Sequence, residues 1–142
     1  MVETAALLLS LCGPGAVGLA PHFQAAAHRY HIPPVILIAQ ARVESTCHPN
    51  AVGGKDGINV GLLAIRVGAS AAHGHTAEEL KRPRLNLLLG ARHLRKTWDL
   101  CHDLAGGLGV YAGYRTCSQG RRSSYSRKVL SWVEEVERGT RS

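Results

Sequence analysis

A proline pair followed by a long apolar run constrains the fold of this chain more than any other feature. Pro33-Pro34 leads into residues 35–43, where Gln40 and Arg42 are the polar side chains among seven apolar ones. Proline is tolerated in the first turn of a helix because its missing N–H would have no partner there. A run that is apolar on nearly every side predicts a buried helix over 34–45, which other elements must cover.

The remaining segments predict further helices. Apolar residues at helical spacing cover positions near 3–11, near 20–30, 62–72, 83 to about 98, and 123 or 124 to 138. Residues 46–61 are rich in Gly, Pro and Asn and predict loop or short irregular structure. The segment 104–114 holds four glycines, which make a poor isolated helix but permit close packing in a core. No run of alternating strands is present, so the predicted fold class is mainly α.

The length of 142 residues suits one unit, so we expect residues 1–142 to form a single domain. No apolar stretch approaches the ~20 residues that a membrane-spanning helix needs. The apolar segment 5–11 is weak as a signal peptide because Glu3 and no Lys or Arg precedes it. Gly18-Leu19-Ala20 resembles a cleavage site, which leaves export open, but we favour a first helix of the folded domain.

The positive charge of the chain is concentrated in its second half. The net charge is +7; residues 1–80 carry four Lys/Arg and five Asp/Glu, whereas residues 81–142 carry thirteen and five. A basic surface favours polyanionic partners such as nucleic acid, anionic lipid or the anionic polymers of bacterial walls. A solvated basic face that aids solubility is the structural alternative, and charge alone does not separate the two.

Four cysteines, at positions 12, 47, 101 and 117, allow three full pairings that the sequence cannot rank. An even count suits an oxidising compartment, while buried free thiols acting as small apolar residues are an equal alternative. If a bridge forms, we favour Cys101 with Cys117, because these two flank one short helix-like segment. No Cys-x-x-Cys pair is present, so zinc-ribbon and thioredoxin-type motifs are excluded.

Glu44 is the strongest candidate for a catalytic residue. Helical spacing places it on the same stripe as Leu37, Gln40 and Ala41. Burial on an apolar stripe and the negative end of a helix dipole both raise the pKa of a carboxyl group. A carboxyl that stays protonated at neutral pH can donate a proton to a leaving oxygen, as a glycosidase acid must. The structural alternative is a solvated glutamate at a helix end.

Five segments in order resemble one enzyme family. They are Ala41–Val52 with its Glu44-Ser45 and Pro49-Asn50, Gly61–Ile65, the Asn86, Gly90 and Leu94 series, Val110–Gly113, and Tyr125–Val129. Together they resemble the lytic transglycosylases related to goose-type lysozyme, in a single-domain form of phage or secretion-system type. The resemblance covers roughly residues 20–133 and leaves 1–19 as an additional N-terminal helix. It implies a lysozyme-like helical domain with an active-site groove.

Three residues depart from the family pattern inside these segments. Leu63 and Ala64 stand where the family has Met and Gln, and Ala112 stands where it has Asn. The Met and Gln usually line the sugar groove, so substrate contacts there must differ. A member that binds the wall without cleaving it is therefore a second hypothesis.

The resemblance implies that the chain cleaves the MurNAc-GlcNAc β-1,4 bond of peptidoglycan, with Glu44 as general acid and then general base. In such a reaction the muramyl 6-hydroxyl closes a 1,6-anhydro ring, so no attacking water is needed. The implied substrate-binding residues are Ser45, Gly61, Leu62, Leu63, Tyr111 and Tyr125. Tyr111 bonds the acid or the substrate's N-acetyl group, or is a core aromatic; Ser45 bonds the sugar or ends its helix. No cofactor is implied.

Asp56 supports a different mechanism. It lies twelve residues after Glu44 in a Gly-rich loop. An inverting hydrolase holds a second carboxylate ≈ 6.5–9.5 Å from the acid to position a water. A goose-type-lysozyme-like hydrolase with Asp56 in that role is the alternative to the transglycosylase. The structural alternative for Asp56 is a turn residue before Gly57.

Other kinds of site have weaker support in the sequence. The His28-x-x-His31 and His73-x-His75 pairs lack a full ligand set, so we expect no metal site. No recognition-helix signature or aromatic–basic platform supports specific nucleic-acid binding, although a basic helical nucleic-acid binder is a third hypothesis. We expect a monomer that acts on glycan strands in the periplasm or cell wall. It would reach the wall as a phage-delivered protein, such as an endolysin, or by export without a cleavable signal peptide.

Overall fold

The computed structural model describes residues 3–56 and 58–141 and is mainly helical, as predicted. In this part of the chain there are eight α-helices: α1 (Thr4–Cys12), α2 (Ala20–Arg29), α3 (Pro34–Ser45), α4 (Ala77–Leu80), α5 (Pro83–Cys101), α6 (Leu104–Tyr111), α7 (Cys117–Arg121) and α8 (Ser124–Arg141). Short 3₁₀ helices span Pro14–Leu19 and Ser70–Ala72. None of the described helices is long and apolar enough to cross a membrane.

Helix α3 is the centre of the molecule. Its six consecutive residues Ile36–Ala41 are buried, and α1, α2 and α8 pack around it. The helix begins at Pro34 as the proline pair predicts, and it ends at Thr46, whose φ of 52° is left-handed. A residue in this conformation is a common way for a helix to end. The burial of α3 on several sides explains why its sequence is apolar almost throughout.

The prediction of a helix over 62–72 is wrong. Three two-residue strands, β1 (Val52–Gly53), β2 (Asn59–Val60) and β3 (Ile65–Arg66), form a small antiparallel sheet in the order β1-β2-β3. Gly61, Ala64 and Gly68 have φ values of 86°, 50° and 85°. Residues with positive φ cannot continue a right-handed helix. The chain therefore turns back on itself twice here, and apolar content alone did not reveal this.

The glycines of α6 allow two helices to touch at their backbones. A Cβ added to Gly109 would overlap the Cα of Gly120 in α7, and one added to Gly107 would meet the backbone of Trp98 in α5. Gly106–Gly109 are buried, and the Asp103 side chain accepts a hydrogen bond from the N–H of Gly106 at the start of α6. Close packing thus makes a helix of a segment that would be a poor helix alone.

Two disulfides link the ends of helices to other parts of the chain. Cys101–Cys117 connects the end of α5 to the start of α7, which confirms the pairing that the spacing favoured. Cys12–Cys47 connects the end of α1 to the turn after α3. Helix α1 also contributes Leu7, Leu8 and Leu11 to the core. The additional N-terminal helix is therefore part of the folded unit.

Candidate active site

Glu44 lies in the last turn of α3, at the edge of an open cleft. Its side chain is only partly exposed. Burial raises the pKa of the Glu44 carboxyl from 4.5 to about 7, and a hydrogen bond from Tyr125 partly opposes that rise. A carboxyl of this kind is protonated in a substantial fraction of molecules at neutral pH. It can therefore donate a proton and later take one back.

A chain of hydrogen bonds supports the Glu44 carboxyl from beneath. Tyr125 Oη donates to Glu44 Oε2 over 3.2 Å, and Gln40 Nε2 donates to Tyr125 Oη over 3.2 Å. Gln40 is fully buried one turn before Glu44, and its Oε1 has no hydrogen-bond partner. The pKa of Tyr125 is raised well above 10, mainly by burial. Tyr125 thus remains a hydrogen-bond donor throughout the neutral range.

Two clefts meet at Glu44. The larger has a volume of about 600 Å³ and is bordered by Glu44, Ala64, His93, Tyr111 and Tyr125, among others. The second has a volume of about 410 Å³ and is lined by the turn after α3, the β1 strand and the loop start at Gly61. Glu44, Asn59 and Ala64 belong to both linings. A chain-like ligand that follows both clefts would pass directly over the carboxyl.

The loop Gly61–Ile65 forms part of the cleft floor and is fixed from several directions. The buried Asn86 side chain accepts a hydrogen bond from Leu63 N and donates to Val60 O and Leu80 O, each over 2.8 Å. Tyr111 Oη donates to Leu63 O over 2.8 Å. Ser45 Oγ donates to Leu62 O over 2.9 Å, which joins this loop to the helix that carries Glu44.

Two glycines are required for this loop to lie so close to α5. Gly61 has a φ of 86°, and a Cβ there would collide with Leu80 O and the Asn86 side chain. A Cβ on Gly90 of α5 would overlap the Leu63 side chain. Asn86 and Gly90, two of the three residues of the series that the sequence singled out on this helix, therefore hold the loop in place and do not line either cleft.

The predicted substrate-binding residues occupy different positions in the structure. Tyr111 and Tyr125 line the larger cleft with rings 6.2 Å apart, while Ser45 and Gly61 line the second. The Leu62 and Leu63 side chains are fully buried in the core. A contact between either leucine and a substrate would have to use main-chain atoms. Tyr125 bonds the Glu44 carboxyl, a contact that the sequence offered as one of three alternatives for Tyr111.

Asp56 is not among the residues that line either cleft. Its side chain is 68% exposed and lies 3.9 Å from Nη2 of Arg66, a residue that lines the larger cleft. Among the described residues, Glu44 is the one carboxylate in the lining of either cleft. Asp56 therefore belongs to the surface of the Gly-rich loop, close to the exposed edge of the small sheet.

Several cleft residues were not identified from the sequence. Asn59 borders both clefts, and His93 lies with its ring 5.0 Å from that of Tyr111. Burial lowers the pKa of His93, and the nearby Lys96 adds to that effect. The sequence did carry one signal for Gln40: it is a polar residue in an otherwise apolar helix, one turn before Glu44. That position could have indicated a role in the hydrogen bonding around the acid. No comparable signal marks Asn59, because its position depends on the turn at Gly61.

The described residues contain no group of three or more His, Cys, Asp or Glu side chains placed to hold a metal ion. The arrangement instead offers one protonatable carboxyl, two tyrosines and main-chain polar groups along an open groove. Acid–base chemistry on a bound polymer is what these groups can perform.

Comparison with known families agrees with this chemistry. The sequence model described as "Transglycosylase SLT domain" matches residues 21–129, which is more than half of the chain. No curated protein matches the chain.

Proposed function

The chain belongs to the Transglycosylase SLT domain family, and from that premise we propose that Glu44 is its general acid and base. The family consists of lytic transglycosylases, glycosidase-type enzymes that act on peptidoglycan in the periplasm or cell wall. The observation that carries the proposal is a carboxyl with a pKa of about 7 at the meeting point of two clefts.

The proposed reaction breaks the β-1,4 bond between MurNAc and GlcNAc. Protonated Glu44 gives its proton to the bridging oxygen as the bond from that oxygen to the muramyl C1 breaks. The resulting Glu44 carboxylate then takes the proton of the muramyl 6-hydroxyl, whose oxygen bonds to C1 and closes a 1,6-anhydro ring. Glu44 ends as it began, and no water is consumed.

Tyr125 is proposed to hold the acid in place during both steps. Its hydroxyl bonds the carboxylate oxygen and its own ring is stacked on Tyr111. A hydrogen bond to the ionised form stabilises the carboxylate after proton donation. The same contact limits how far the pKa of Glu44 rises, so that both protonation states are accessible near neutral pH.

The placement of Asp56 favours the one-carboxylate mechanism over the hydrolase. Asp56 is exposed beside Arg66 and outside the lining of both clefts. An attacking water held between two carboxylates needs the second carboxylate inside the groove. The departures Ala64 and Ala112 both line the larger cleft, and the Glu44 carboxyl is retained beside them.

The two disulfides of the chain support a location outside the cytosol, where bacterial cell walls are found. Disulfides form and persist outside the reducing cytosol, and all four cysteines are bridged. Delivery by a phage or by an export system, and a monomeric state, stay predictions from the sequence.

The deciding experiment is mass spectrometry of fragments released from purified sacculi, with Glu44→Gln as the control. We expect fragments ending in 1,6-anhydro-muramic acid from the native chain and none from the variant. Reducing ends, heavier by one water, would replace this mechanism with hydrolysis and make Asp56 the next residue to substitute. Absence of fragments from the native chain, with sedimentation on sacculi, would identify a wall-binding protein.

A further inference from the structure

A further cavity, distinct from the two clefts and called the basic pocket here, adjoins the larger cleft. It has a volume of about 270 Å³ and shares Ala71 and His93 with the cleft lining. One wall is the face of α5 that carries Leu89, Arg92, Lys96 and Leu100, and the other wall is the 3₁₀ helix Ser70–Ala72 with His73. A group attached to a sugar in the cleft can therefore reach this pocket without leaving the surface.

The pocket presents positive charge that no ion pair among the described residues neutralises. Arg92 and Lys96 lie one turn apart on α5, and neither forms an ion pair within the described residues. The nearby Arg95 differs, because its guanidinium is held by Asp99 over 2.7 Å. Lys96 is close enough to His93 to lower the pKa of that imidazole. Two unpaired cations at the rim of a cavity favour an anionic ligand.

The pocket also has apolar walls. Leu89 is 9% exposed and forms the inner part, while Leu100 is 66% exposed at the outer part. A small cavity with cations on one side and aliphatic groups on the other suits a short peptide with carboxylates and methyl side chains. Its size and its enclosure between two elements are less suited to an extended phosphate polymer, which would follow a surface stripe.

We propose that the basic pocket binds the acidic stem peptide carried by the muramyl sugar next to the cleaved bond. The proposal rests on the proposed function, because it assumes a muramyl sugar in the larger cleft. Arg92 and Lys96 bond the carboxylates of the peptide, and Leu89 and Leu100 contact its alanine methyl groups. The stem then adds binding energy outside the reacting sugars and selects strands that still carry peptides.

The kinetic test compares two forms of the same glycan strands, one with intact stem peptides and one stripped by an amidase. We expect the native chain to have a KM roughly tenfold lower for the stem-bearing strands, a difference of about 1.4 kcal/mol. In Arg92→Gln/Lys96→Gln the KM for stem-bearing strands should rise to the stripped value, with kcat little changed. The control Arg84→Gln/Arg138→Gln removes the same charge at exposed sites outside the pocket and should behave as the native chain.

A binding test separates the pocket from catalysis. A soluble stem tetrapeptide is titrated into ¹⁵N-labelled protein, and saturable shifts are expected at the amides of residues 73, 92 and 96. Arg92→Gln/Lys96→Gln should lose them. Saturable shifts in a chain that releases no fragments from sacculi would support the pocket while the catalytic proposal fails.

Three results would overturn the proposal. Equal KM values for the two strand forms would exclude the peptide pocket and leave the proposed transglycosylase activity unaffected. Chemical shifts that never saturate with tetrapeptide, or that persist in the double variant, would exclude the pocket independently of any activity. Poly(glycerol phosphate) that displaces the tetrapeptide at concentrations below those at which the tetrapeptide itself binds would assign the pocket to an anionic wall polymer.

Discussion

At the scale of single residues, Glu44 is held in an environment that opposes its ionisation. The folded protein binds its proton more tightly than the unfolded chain, because the pKa is raised from 4.5 to about 7 by burial. The free energy of unfolding therefore falls as pH rises through this range, and the loss is complete above the folded pKa. Linkage sets an upper bound of about 3 kcal/mol, which solvent at the cleft reduces.

This linkage predicts that Glu44→Gln is more stable than the native chain at pH 8. The amide cannot ionise, so the variant avoids the cost of a buried carboxylate. We expect a gain of about 1–3 kcal/mol at pH 8 that shrinks toward zero below pH 4.5, measured by urea unfolding of both proteins at several pH values. A difference that is independent of pH would contradict the burial of Glu44.

Tyr125→Phe should move the pH dependence of cleavage. The hydrogen bond from Tyr125 lowers the pKa of Glu44, so its loss raises that pKa further. The acid must be protonated to act, hence the alkaline fall of kcat/KM should shift to higher pH. Tyr111→Phe is the matched control, because Tyr111 Oη bonds Leu63 O and not the acid. If the midpoint of the alkaline fall of kcat/KM is unchanged or lower in Tyr125→Phe, Tyr125 does not lower the pKa of Glu44.

The position of the Glu44 carboxyl on a largely buried stripe was predictable from sequence, and its hydrogen-bond partners were less so. An acidic residue on the stripe of a buried helix marks Glu44 as a candidate without any structure. The identity of the tyrosine that contacts it depends on how α8 crosses α3, 81 residues away in sequence. Spacing within one element cannot give that crossing, which explains why the sequence did not assign to Tyr125 the contact that it makes with Glu44.

At the scale of elements, α6 and α7 are in backbone contact at Gly109 and Gly120. Gly109→Ala should destabilise the protein by roughly 2 kcal/mol or more, because its Cβ would overlap the backbone of Gly120 and the two helices must separate. Gly15→Ala is the control, since a Cβ there meets nothing within 4 Å. Thermal unfolding of both variants measures the effect. An equal change in both would show that the contact contributes nothing.

Secondary structure was predictable where a helix keeps one apolar face along its length. It was not predictable where residues adopt a left-handed backbone conformation. Helices α3 and α5 begin at the prolines that the sequence marked, although α5 continues to Cys101, beyond the predicted end near residue 98. The segment 62–72 has apolar residues in plenty, but positive φ at Ala64 depends on the loop being held by Asn86 and Tyr111. Alanine gives no local sign of that conformation.

At the scale of the whole molecule, the two disulfides restrict the unfolded chain over loops of different length. Cys12–Cys47 spans 35 positions and Cys101–Cys117 spans 16. Removing either pair by Ser substitution should cost roughly 3–4 kcal/mol, with the larger loss for the longer loop. Urea unfolding with and without reductant measures both. Unchanged stability of the native chain on full reduction would contradict this prediction.

The bridge between Cys12 and Cys47 also has a consequence for anyone who produces the protein in parts. A recombinant fragment trimmed to the family match would start at residue 21, after α1 and Cys12. It would lack three leucines of the core and carry an unpaired thiol three positions after Glu44. Such a fragment would misfold or cross-link, and its inactivity would be misread as a property of the enzyme. The boundary of a family is here not the boundary of a folding unit.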